Sequence, residues 1–133
     1  MAKFKYSITN YGEAEKAWSE ARKDASGRVK LGYMTWLVSR FDESTGRAWY
    51  GIVHHETRIV SYFTDGTIGL DNGGWDSKTT RERFDAFTPA EFRFHRVKGE
   101  TVVTRLGVDG WDGAYTTPFY GSALICTAAP VAA

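Results

Sequence analysis

The chain has 133 residues, 42% of them hydrophobic and 15% aromatic, which is enough apolar material for one core and too much for a disordered chain. Its 17 basic and 16 acidic side chains leave a formal charge of +1, so no global field draws in a polyanion. A single cysteine, Cys126, excludes an internal disulfide and fits a reducing compartment.

The N-terminal segment is basic, but no apolar stretch follows it as a secretory leader would require. The first predicted element is a helix over Tyr11–Asp24. Asn10 can cap it, and Glu13 lies three residues later at capping-box spacing. Tyr11, Ala14, Ala17, Trp18 and Ala21 recur at helical spacing and define one apolar face. Ser26-Gly27 ends the element. Strands follow over Val29–Phe41 (interrupted at Gly32), Arg47–His54 and Thr57–Thr64. Asp42 to Gly46 and His55-Glu56 read as turns. Asp65-Gly66 is the strongest hairpin signal, because both residues tolerate positive φ. Such short connections predict an antiparallel meander.

Asp71-Asn72-Gly73-Gly74 breaks the pattern. A second helix should start near Thr79, with Glu82 at capping-box spacing, and Pro89 should stop it. Phe92 to Val97 alternates with period two, and Lys98-Gly99-Glu100 turns into Thr101–Leu106. The Gly- and Asp-rich stretch from Gly107 to Thr117 reads as a loop. Phe119–Thr127 reads as a last strand, at a sheet edge. Cys126 within it reads as a small buried hydrophobe. Residues 127–133 read as a frayed tail. No apolar run reaches the roughly 20 residues a membrane span needs. The expectation is one cytoplasmic α+β domain over 1–133, with an antiparallel sheet, an N-terminal helix and a short inserted helix.

The usual catalytic patterns do not occur. His54 and His55 would point to opposite faces of a strand and could share a metal only if His55 falls in a turn. Cys-x-x-Cys and His-Glu-x-x-His spacings are missing, as are a P-loop, a Gly-x-Gly-x-x-Gly run and a Gly-x-Ser-x-Gly elbow. Asp65, Asp71 and Asp76 are turn residues by position. The sequence assigns no catalytic residue, no metal ligand and no cofactor. A small metal-dependent hydrolase is the enzyme alternative.

Two stretches could bind a macromolecule. Trp111, Tyr115, Phe119 and Tyr120 lie in or beside the Gly-rich segment and offer large contact area to a protein; the competing explanation is that they close one end of the sheet. Lys78, Arg81, Arg83, Arg93, Arg96 and Lys98 are interleaved with Trp75, Phe84, Phe92 and Phe94, a mixture that can hold a nucleic-acid strand. Its competing explanation is a solvated face over core aromatics. An exposed edge strand could also pair with its own copy, so monomer and homodimer both stay open.

The middle of the chain is built from His55, Thr57, Ile59-Val60, Asp65 to Leu70, Gly73-Gly74-Trp75, Thr79-Thr80-Arg81-Glu82-Arg83 and Phe87-Thr88-Pro89. This order of strand, hairpin, Gly-Gly-Trp turn and Thr-Thr-led helix resembles an uncharacterised family of small actinobacterial and actinophage proteins. Leu31 to Thr35 and Pro118 to Gly121 are similar too, although the family's aspartate after Phe-Tyr is Gly121 here. The resemblance implies a phage or phage-derived origin and brings no activity. The Gly-Gly-Trp turn also has a folding explanation, in which the glycines bend the backbone and Trp75 plugs the loop. The functional expectation is a non-enzymatic, phage-type accessory protein that binds a host or phage protein, with nucleic-acid binding through 78–98 as the alternative.

Overall fold

Asn10 starts the first helix as its side chain leads one to expect. In a computed structural model, which describes residues 4–74, 77–107, 110–118 and 122–126 and backbone alone from 105 onward, α1 spans Tyr11–Glu20. The Asn10 side-chain oxygen accepts the Glu13 N–H at 2.8 Å. Glu13 reaches back to the Thr9 N–H at 2.8 Å, one residue beyond the partner a standard capping box uses. The helix stops before the predicted Asp24 because Ala21 is already extended (φ −86°, ψ 149°). Asp24 serves a turn instead, accepting the N–H groups of Ser26 and Arg28 at 2.9 and 3.0 Å, a local bond that competes with helix.

The next strands form an antiparallel meander: β1 (Val29–Gly32), β2 (Thr35–Asp42), β3 (Arg47–His54), β4 (Thr57–Phe63) and β5 (Thr67–Asp71). The interruption at Gly32 is a hairpin, with Gly32 opposite Thr35 and Tyr33-Met34 at its tip. Asp65 accepts the Thr67 N–H at 2.9 Å, and Gly66 takes φ 90°, as the Asp-Gly signal requires. Period two sorts the side chains. Val29, Leu31, Leu37, Ile52, Val60, Tyr62, Ile68 and Leu70 face the core with the buried residues of both helices. Lys30, Trp36 and Arg58 line up across the strands on the outward face, and Arg40, Trp49 and Phe63 form a parallel row.

Helix α2 (Lys78–Phe87) is capped by Ser77, whose hydroxyl accepts the Thr80 N–H at 3.2 Å. The cap therefore precedes the predicted Thr79. Thr88 is extended and Pro89 follows, so the helix ends where expected. Tyr62 ties this end to the core: its fully buried hydroxyl donates to the carbonyls of Ile8 and Phe87.

After α2 the chain makes β6 (Phe92–Val97), β7 (Glu100–Gly107) and β8 (Gly110–Pro118), which form a separate three-stranded antiparallel sheet. The loop expected over Gly107–Thr117 is thus a strand, with Thr104 opposite Thr116 and Arg105 opposite Tyr115. Its glycines suggested a loop, but Tyr115, Thr116 and Thr117 have the residue types that pair well in sheets. The last strand, β9 (Ser122–Cys126), returns to the first sheet and pairs with β5 at its edge, giving the order β1-β2-β3-β4-β5-β9. The class is α+β as expected, with two sheets where the sequence suggested one. Among the described residues no helix is long and apolar enough to cross a membrane.

Candidate functional site

Three parts of the chain meet at one end of the first sheet: the Tyr33-Met34 tip, the His55-Glu56 turn, and Asn72 with the start of α2. They enclose a cleft of about 500 Å³, within the usual range for ligand pockets. Tyr33, His54 and His55 line one side, Thr57 and Ile59 the floor, and Asn72 with Ser77, Thr79 and Thr80 the side towards α2. No carboxylate or thiol is among these lining residues.

The tip is held by its carbonyls. The Tyr33 carbonyl accepts Nη2 of Arg83 at 2.9 Å and the Thr35 hydroxyl at 2.7 Å. The Met34 carbonyl accepts the His55 N–H at 2.8 Å and faces Nδ1 of His54 at 3.2 Å. Met34 and His55 take positive φ (47° and 56°) and are two of the three described non-glycine residues that do so. Such backbone persists where the surroundings over-determine it. The Tyr33 side chain, by contrast, is 77% exposed. A fixed backbone thus presents a free aromatic at the mouth of a cleft.

Arg83 anchors this arrangement from below. It is 3% exposed. Its Nε donates to the Thr35 hydroxyl at 2.7 Å and its Nη1 to the Thr79 carbonyl at 3.1 Å. Its guanidinium also lies 5.4 Å from the Phe4 ring centroid. No carboxylate among the described residues pairs with it. Burial lowers its pKa and the nearby Glu82 charge opposes that shift, so the guanidinium is held chiefly by neutral acceptors beside the cleft.

His54 is 7% exposed. Its contact with the Met34 carbonyl assigns the proton to Nδ1 and leaves the Nε2 lone pair without a protein partner among the described residues. Burial, then the Arg83 charge and then His55 hold its pKa below the usual value, against the Met34 bond, which raises it. The folded state therefore favours neutral imidazole. The contribution is complete above the unfolded-state pKa of about 6.5 and is lost as pH falls through the folded-state value. Urea midpoints measured from pH 7.5 to 5 should fall for the wild type and fall less for His54→Asn, which keeps a donor near Met34.

On the other side, Gly73 accepts nothing larger. At φ 66°, an added Cβ would sit 2.7 Å from Cγ2 of Thr57. Asp71 and Asn72 accept the N–H groups of Gly73 and Gly74 at 2.7 and 2.8 Å. Gly73 and Gly74 both take positive φ (66° and 86°), the backbone freedom on which the folding explanation of the motif draws. Trp75 lies outside the described residues.

His54 and His55 do come together, because His55 is in a turn: their ring centroids are 4.3 Å apart. Among the described residues, however, no three His, Cys, Asp or Glu side chains gather as a metal site would need.

The other predicted sites are placed differently. Arg83 is buried in the core side of α2, so it cannot meet a phosphate, and Phe84, Phe92 and Phe94 are core residues. Lys78, Arg93, Arg96 and Lys98 are exposed and Arg81 half-buried. The 78–98 stretch therefore supplies cations, but its phenylalanine rings are buried and do not reach a base. Trp111 and Tyr115 lie on β8, where the backbone alone is described; Phe119 and Tyr120 lie outside the described residues. Sequence reasoning did not select Tyr33, Asn72 or Ser77. A lone aromatic beside a hidden hairpin carries no periodic signal, and the cleft is made by contacts distant in sequence.

No curated protein and no solved structure matches the chain. A family model described as Kyanoviridae Gp96 protein matches residues 35–123, a span that contains β2 through the start of β9 and most of the cleft. The phage side of the sequence resemblance is thereby established, and the chain belongs to the Kyanoviridae Gp96 protein family.

Proposed function

We propose that this phage protein is an accessory factor that acts by binding a host or phage protein, and that the cleft beside Tyr33 is where it does so. One observation carries the reading: an exposed aromatic side chain stands on a turn whose two carbonyls are each held by two donors, at the mouth of a cleft. A pre-ordered Tyr contributes contact area with little entropy left to lose. The hydroxyls of Thr57 and Thr79 and the Nε2 lone pair of His54 can satisfy polar groups of an inserted segment. Among the described lining residues no acid stands by to orient His54 as a base, and it is the exposed Tyr33 that favours binding.

Tyr33→Ala tests this reading. The phenol is exposed, so the melting temperature should stay within a few degrees of wild type. Affinity for a partner co-purified from infected cells should fall about tenfold or more, as for an interface anchor. Unchanged affinity in the folded variant would place the interface elsewhere, with Trp111 and Tyr115 the next residues to test.

A further inference from the structure

Both helices pack on one face of the six-stranded sheet, and the opposite face is where the charge segregates. Lys30, Trp36, Val53 and Arg58 lie side by side across β1 to β4, and Arg40, Trp49 and Phe63 do so across β2 to β4. Between these rows, Gly51 leaves room for Trp49 and Arg58, whose side chains come within 3.0 and 3.1 Å of where its Cβ would be. The Arg58 guanidinium lies 4.3 Å from the Trp49 ring centroid. Arg28 and Lys30 lie 4.1 and 4.7 Å from that of Trp36. Lys30, Arg40 and Arg58 are exposed, and Trp49 and Phe63 are half-buried with ring centroids 6.5 Å apart.

Acidic residues keep to the margins of this face. Asp42 sits opposite Arg47 where β2 meets β3, Asp24 lies beside Arg28, and Asp71 ends β5. The balanced charge of the whole chain thus conceals a cationic, ring-bearing strip. Strands about 4.8 Å apart place Lys30 and Arg58 roughly 14 Å from each other, a span suited to an extended polyanion.

We propose that the outward face of β1 to β4 binds single-stranded nucleic acid, with Lys30, Arg40 and Arg58 meeting phosphates and Trp49 and Phe63 offering rings to a base. Charge complementarity selects a polyanion, and aromatic rings among the cations select one with flat, unpaired bases. Duplex lacks such free bases. The surface is separate from the cleft and from the 78–98 stretch.

The test uses the full chain and a fluorescent 15-nucleotide oligonucleotide of mixed sequence, followed by anisotropy at 20 to 200 mM salt. Three phosphate contacts predict a log–log salt slope of about −2 on a single strand. The Lys30→Gln, Arg40→Gln, Arg58→Gln triple variant should bind at least tenfold more weakly with a flattened slope, and Arg58→Lys should retain most of the affinity. Trp49→Leu should lose the part of tryptophan quenching that the oligonucleotide causes. Tyr33→Ala should bind the oligonucleotide as the wild type does, which separates this surface from the cleft. If the cations only cover the tryptophans, the triple variant will melt lower and the wild type will show no oligonucleotide binding at 20 mM salt. Equal affinity for polyglutamate or for duplex of the same length would also overturn the assignment.

Discussion

Arg83→Ala should lower the unfolding free energy by about 2–4 kcal/mol, the usual loss when one member of a buried, charge-assisted network is removed. The residue is 3% exposed and donates to the Thr35 hydroxyl and to the carbonyls of Tyr33 and Thr79. Truncation takes one donor from each of these acceptors, leaves the Tyr33 carbonyl to the Thr35 hydroxyl alone, and opens space beside Phe4. Arg83→Lys should recover little, because an ammonium cannot span three acceptors with the geometry of a planar fork. Arg83→Met should recover packing without the bonds and fall between the two. Urea denaturation of the three variants reads this order. A loss below 1 kcal/mol for Ala would mean that the turn holds itself. The same variant should speed amide exchange at Thr35 and His55 beyond the global change, since the Tyr33-Met34 tip loses its anchor.

Phe87→Ala should cost about 3–5 kcal/mol, the range for a large aromatic removed from a well-packed interior. Phe87 is fully buried, packs against Phe4 with ring centroids 4.6 Å apart, and sits where the carbonyl of its own residue accepts the Tyr62 hydroxyl. Burial raises the Tyr62 phenol well above its ordinary pKa, so it remains a neutral donor. Losing the Phe87 ring therefore loosens the end of α2 together with the N-terminal segment. Denaturant midpoints check the size of the effect. A cost of 1 kcal/mol or less would show that this end of the core collapses to fill the space.

Much of this fold could be read in advance. The Asn10 cap, the apolar face of α1, the Asp65-Gly66 hairpin and the stop at Pro89 rest on interactions within a few residues, and such interactions leave marks in sequence. What failed involved competition at a distance or between neighbours. Ser77 took the cap from Thr79, Asp24 took a turn from α1, and Tyr115 to Thr117 paired with β7 despite nearby glycines. Arg83 was read as surface because basic residues usually are. Its burial depends on Thr35 and Tyr33, 48 and 50 residues earlier. Tyr33 was overlooked as a site for the same reason, since its importance comes from the donors that hold its carbonyl. The sheet's outward cations were missed because strand pairing, not sequence proximity, puts Lys30 and Arg58 in one row.

The proposed function requires Tyr33 to stand over a cleft that receives a partner. A photo-reactive phenylalanine at position 33, compared in infected cells with the same residue at position 41, tests this most directly, because Phe41 is also exposed but lies at the other end of β2. One discrete protein adduct should form from position 33, disappear when Thr79→Trp fills the cleft, and not form from position 41. Equal adducts from both positions, or an adduct from 33 that survives Thr79→Trp, would contradict the proposed function.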